Sequence, residues 1–129
     1  MAELLVPISP GELIDKITIL EIKSQRMTDA AKLHNVRTEL SLLTDTWKAS
    51  PYAATDIAAE WAALRDVNAK LWDIEDDIRD KERSGSFDAG FIELARAVYV
   101  TNDERAAIKK QINTRLGSAL VEEKSYAAY

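Results

Sequence analysis

The chain has 129 residues, 47% of them apolar and 30% charged, a length and balance that suit one domain with a buried core and argue against wholesale disorder. A formal charge of −5 argues against generic nucleic-acid binding, which needs a basic face, and the absence of cysteine removes disulfides and thiolate chemistry. No apolar stretch approaches the roughly 18 residues of a membrane span, so membrane insertion is not expected, and without a secretory leader pattern the expected location is cytoplasmic.

Ser9-Pro10-Gly11-Glu12 reads as a capping box, with Ser9 as N-cap and Pro10 at the first helical position. It predicts a first helix from about Pro10 to Met27. Thr28-Asp29 starts a second, to about Ala49, with Leu33, Val36, Leu40, Leu43 and Trp47 at three–four spacing. Pro51 disfavours helix at Ser50, so residues 49–56 form the turn. Thr55 or Asp56 caps a third helix through about Arg83, on the order of 40 Å long. Residues 84–88, SGSFD, break it, and Asp88 caps a fourth. Thr101-Asn102-Asp103-Glu104 has the pattern of another capping box, opening a fifth helix that Gly117 ends.

Residues 117–129 are expected to be irregular or packed across the bundle. No alternating β-branched run signals a strand. The expected fold is one all-α domain over residues 1–129: a bundle of about five helices, with a long third helix and an antiparallel hairpin of the second and third.

At about 100° per residue, helical projection sorts the charges. On the first helix Leu13, Ile14, Ile17, Leu20 and Met27 share an arc that includes Glu21. Asp15, Lys23 and Arg26 project to the other side, yet Ile19 and Ile22 fall among them. Either that helix is covered on two sides, or Ile19 and Ile22, together with Leu42, meet a protein partner or a second copy. On the third helix Asp73, Asp76, Asp77 and Asp80 project outward as a solvated run, and no metal or cofactor site is expected. Glu75 projects into the apolar arc, with Asn68 on the same seam and Arg79 beside it. On the fifth, Arg105 projects into the stripe of Ile108, Ile112 and Leu116.

Buried charges left unpaired cost several kcal/mol, so Glu21, Glu75, Arg79 and Arg105 must pair with one another or with a ligand. Two readings stay open. One is a structural ion-pair network that fixes helix register. The other is a partly buried pocket, lined by Glu21, Asn68, Glu75, Arg79 and Arg105, for a small anionic or zwitterionic ligand. His34, the sole histidine, reads as a surface residue, and Trp47, Trp61 and Trp72 as packing residues.

The blocks PISPGELIDKITILEIKSQRM (7–27), LHNVRTEL (33–40), LWDIEDDIRDKE (71–82), FIELARAVYVTNDERAAIKKQIN (91–113) and GSALVEEKSYAAY (117–129) resemble a family of small bacterial and phage proteins of about 130 residues, a domain of unknown function. The resemblance covers nearly the whole chain. It implies a context of surface-polysaccharide or glycosyltransferase pathways and assigns no catalytic residue. More loosely, ELIDKITILEIKSQRM (12–27) is similar to the first helix of all-helical chorismate mutases, which hold a dicarboxylate between helices with Arg, Lys and Glu side chains. The Arg-Glu pair those enzymes carry on a later helix has no match here, which puts that activity in doubt. The expectation is an interaction or accessory module, with a ligand-binding bundle or enzyme as the alternative.

Overall fold

The computed structural model describes residues 2–129. It has four α-helices: α1 (Pro10–Arg26), α2 (Ala30–Ala49), α3 (Ala58–Ser84) and α4 (Ala89–Leu116), with a short 3₁₀ turn, Pro51–Ala54, after α2. No strand occurs among the described residues. Each helix starts where side-chain chemistry satisfies its free amides. Ser9 Oγ accepts from the Glu12 N–H, Asp29 from Lys32, and Asp88 from Phe91. At α3 the cap residue is Ile57, and Asp56 accepts from the Ala58 N–H beside it. Gly85 and Gly117 end α3 and α4 at φ of 68° and 66°, where a side chain would be strained.

The bundle has four helices rather than about five, because α4 runs unbroken through Thr101–Glu104. A capping box closes a helix end only where the backbone leaves helical geometry, and no glycine or proline forces that here. Thr101 is instead fully buried on a continuous helix.

The pairing of helices also departs from expectation. The long hairpin is α3 with α4, whereas α2 packs on α1. α1 lies against all three other helices. That position explains its isoleucines: covered on more than one side, α1 buries Leu13, Ile14, Ile17, Leu20 and Ile22. Each such side chain stabilises by about 1.5–3 kcal/mol. Ile22, 3% exposed, therefore lies inside its own chain and offers no surface for a partner. Ile19 is half-buried and Leu42 is exposed on α2. The core joins Leu13, Ile14, Ile17, Trp47, Ile57, Leu64 and Ile112, with Trp47 and Trp61 edge to face at 5.8 Å.

Residues 117–129 have no regular structure and fold back along α4. Glu122 pairs with Lys109, Lys124 and Tyr129 both reach Asp103, and the Tyr129 ring meets Tyr99 edge-on at 5.3 Å. No helix among the described residues is long and apolar enough to cross a membrane.

Candidate functional site

Thr101, Arg105, Lys109 and Asn113 recur every four residues on α4, which places them in one row along a single face. The lower part of that row grips the start of α1. Asn113, buried, accepts the Gly11 N–H at 2.7 Å and so satisfies one of the free amides of the α1 N-terminus. A turn away, the Lys109 ammonium reaches Glu12 at 2.6 Å, the tail residue Glu122 at 3.0 Å and Asp15 at 3.9 Å.

Burial penalises both charges of the Lys109–Glu12 pair, yet their mutual hydrogen bond and charge win. The Glu12 carboxyl is held below its usual range, helped by the charges of Lys16 and Arg105. The Lys109 ammonium is pushed up against its burial by Glu12, Glu122 and Asp15.

Asp15, which projection put on the outer side, is 6% exposed. Its carboxylate accepts from the Asn68 side chain of α3 at 2.9 Å. The same Asn68 NH₂ donates to Thr18 Oγ1 at 3.0 Å, and Thr18 donates on to the carbonyls of Ile14 and Asp15. Asn68 Oδ1 in turn faces Arg105 at 3.5 Å, and Arg105 also donates to Asn102. The seam is thus closed by hydrogen bonds across α1, α3 and α4, as a low-dielectric interior requires. The buried Thr101 hydroxyl, at the top of the row, is the exception and has no partner among the described residues.

Of the five residues expected to line a pocket, only Asn68 and Arg105 are in direct contact across helices, and Glu75 and Arg79 bond along α3. Glu21 accepts from Trp61 Nε1 at 3.0 Å and pairs with Arg65, so it is joined to none of the other four. Glu75 and Arg79 form a surface pair at 3.2 Å, with Arg79 73% exposed. Asp15, Lys109, Asn113 and Arg65 escaped sequence reasoning. The four-residue repeat of Thr101, Arg105, Lys109 and Asn113 beside Ile108 and Ile112 was a usable signal for two of them.

Beside the seam, α3, α4 and the tail enclose a half-open groove of about 830 Å³. Leu71 and Glu75 line it from α3, Val98, Tyr99, Asn102, Asp103 and Arg105 from α4, and Lys124 and residues 126–129 from the tail. Among the described residues Arg105 has no carboxylate within salt-bridge distance. Its hydrogen-bond partners are two neutral amides. A guanidinium so placed is a donor fork for a carboxylate or phosphate from outside.

The aspartates at 73, 76, 77 and 80 are exposed. Asp73 pairs with Arg26 at 2.7 Å, and Asp80 pairs with Arg83. No cluster of three metal-ligating side chains occurs among the described residues. His34 is exposed on α2.

The model of a family described as a family of unknown function, DUF6165, matches residues 4–129. No curated protein and no solved structure matches the chain.

Proposed function

The chain belongs to the DUF6165 family, a membership that brings no activity with it, and we propose its function from the groove: a helical domain that binds a small amphipathic anion or zwitterion, without catalysis. The observation that carries this is Arg105, partly buried at a groove lined by Leu71, Val98 and three tyrosines, and bonded only to amides. Apolar walls with a few fixed charges, here Arg105 and Lys124 against Glu75 and Asp103, bind and orient an amphipathic ligand. Glu75, on the opposite wall, supplies the acceptor that a zwitterion's ammonium needs. Asn68 holds Arg105 from behind, so it positions rather than contacts. Glu21 and Arg79 contribute through packing and through the Glu75 pair, respectively.

The test is calorimetry and thermal shift with 8-anilinonaphthalene-1-sulfonate and simple aromatic carboxylates. Charge-assisted hydrogen bonds contribute about 1.5–3 kcal/mol, so Arg105→Ala should weaken binding about tenfold or more, with Arg105→Lys between. Equal binding by wild type and Arg105→Ala, or none by either folded protein, overturns the proposal.

A protein-interaction module is the second reading. Leu4, Leu5 and Val6 stand together at 92%, 88% and 68% exposed, and Leu42 is exposed on α2. Under this reading Ile19 and Leu42 remain partner-facing positions, and the partner is another protein or a second copy. A monomer mass by light scattering at tens of micromolar counts against the second copy. A setting beside surface-polysaccharide or glycosyltransferase enzymes belongs to the same proposal and rests on the resemblance alone, and a cytoplasmic location rests on the sequence pattern.

A further inference from the structure

Lys109 is surrounded by three carboxylates that differ in how firmly they are held. Glu12 and Asp15 stand on α1, whose first turn is pinned to α4 by the Gly11–Asn113 bond. Glu122 comes from a segment without regular structure in which residues 119–129 are all exposed, and its own side chain is 52% exposed. Of the three, Glu122 is the one that can leave. The space it closes is a cavity of about 230 Å³ between α4 and the tail, lined by Lys109, Lys110, Lys124 and Asn113 among others. Asn113 has its carboxamide oxygen committed to Gly11, which leaves its NH₂ as a donor. Lys109 is 8% exposed, so the ammonium at the base of this cavity is largely screened from water.

We infer that this cavity is a phosphate-binding site, separate from the Arg105 groove although Lys124 borders both, and that Glu122 is its built-in occupant. The Glu122 carboxylate already marks where an anion is accepted. With Glu122 swung out, Lys109 and Lys110 can present ammonium donors, and Asn113 its NH₂, to several oxygens of one tetrahedral group, a demand that phosphate meets and a single carboxylate does not. Glu12, Asp15 and the lining Glu123 oppose this with three negative charges. They keep the site weak and favour a single phosphate group over a more highly charged polyphosphate. The phosphate can be free or carried on a small ester, since the cavity opens toward solvent along the tail.

An intramolecular carboxylate competes with any phosphate in solution. An exposed pair of this kind shifts the balance by a factor of about two to five. Glu122→Gln should therefore bind inorganic phosphate about two- to fivefold more tightly than wild type by calorimetry at matched ionic strength. Arg105→Ala should leave that gain intact, which separates this site from the groove. A parallel titration with glycerol 3-phosphate tells ester from free phosphate by which of the two Glu122→Gln binds better. In the wild type, saturating phosphate should speed amide hydrogen exchange at residues 120–124, because the tail loses its hold on Lys109. The inference is overturned if Glu122→Gln binds neither probe more tightly than wild type does, or if saturating phosphate leaves tail exchange unchanged.

Discussion

Gly11→Ala should destabilise this protein although alanine is the better helix former. Gly11 is the second helical residue of α1, after Ser9 and Pro10, and Gly90 is the second of α4, after Asp88 and Ala89. The two positions are locally equivalent, so the intrinsic gain from alanine, about 0.5–1 kcal/mol, applies to both. Their surroundings differ. A Cβ on Gly11 would sit 2.6 Å from the backbone carbonyl oxygen of Lys109 and 2.9 Å from Asn113 Oδ1. Neither can yield cheaply, since one is helix backbone and the other accepts the Gly11 N–H. Separating α1 from α4 to make room strains the packing by about 1–3 kcal/mol. Weakening the buried hydrogen bond adds about 1–3 kcal/mol.

Subtracting the propensity gain leaves a net loss of roughly 1–5 kcal/mol. At Gly90 the nearest atom to a Cβ would be the Lys81 Nζ at 3.2 Å, the far end of a flexible side chain, so Gly90→Ala should be neutral or slightly stabilising. Urea unfolding of both variants, followed by far-UV circular dichroism, measures the difference. If Gly11→Ala proves as stable as Gly90→Ala, the close approach of α1 to α4 is not what holds the bundle.

Asn68→Ala should cost about 1–3 kcal/mol by leaving the buried Asp15 carboxylate without its near donor, and an unchanged urea midpoint would refute this. The Glu12–Lys109 pair makes a pH prediction. Glu12 has its folded pKa lowered, so its contribution is present above the ordinary glutamate range and lost as pH falls through the folded value. Lys109 has its folded pKa raised, so its contribution is present below the ordinary lysine range and lost as pH rises through the folded value. Glu12 is partly solvated, and screening holds the effect below about 1 kcal/mol. Wild type should lose more stability than Glu12→Gln between about pH 7 and pH 3, and parallel curves would refute the coupling.

The helices were legible because their ends carry local chemistry. Ser9, Asp29 and Asp88 each bond an amide three residues on, and such signals need nothing from the rest of the chain. The interior was less legible because projection presumes one dry face and one wet face per helix. α1 has helices on several sides, so Asp15 on its supposed wet side meets Asn68 and Lys109 inside. Glu75 failed in the opposite direction. The side-chain bonds from α1 to α3 fall between Trp61 and Asp73, and Glu75 and Arg79 lie beyond the last of them. An apolar-arc position there faces the groove rather than the core. Glu21 projected inward and does meet partners, but Trp61 and Arg65 occur nowhere in a pattern that its own helix could reveal.

One misreading concealed another. A cap at Thr101 would end one helix and begin the next, which takes Thr101 out of register with Arg105, Lys109 and Asn113. On the continuous α4 those four residues form one polar row, and each of its lower three members answers a different need. Asn113 caps the amide end of α1, Lys109 neutralises the acids that α1 brings inward, and Arg105 meets Asn68 and then the open groove. Satisfaction declines along that row, from a closed hydrogen bond to an ion pair with one removable partner, and then to a guanidinium with amides alone. A purely structural seam would be as well served by apolar side chains of similar volume. Arg105, bonded to amides alone, is also where the groove opens, and there an external anion has something to add.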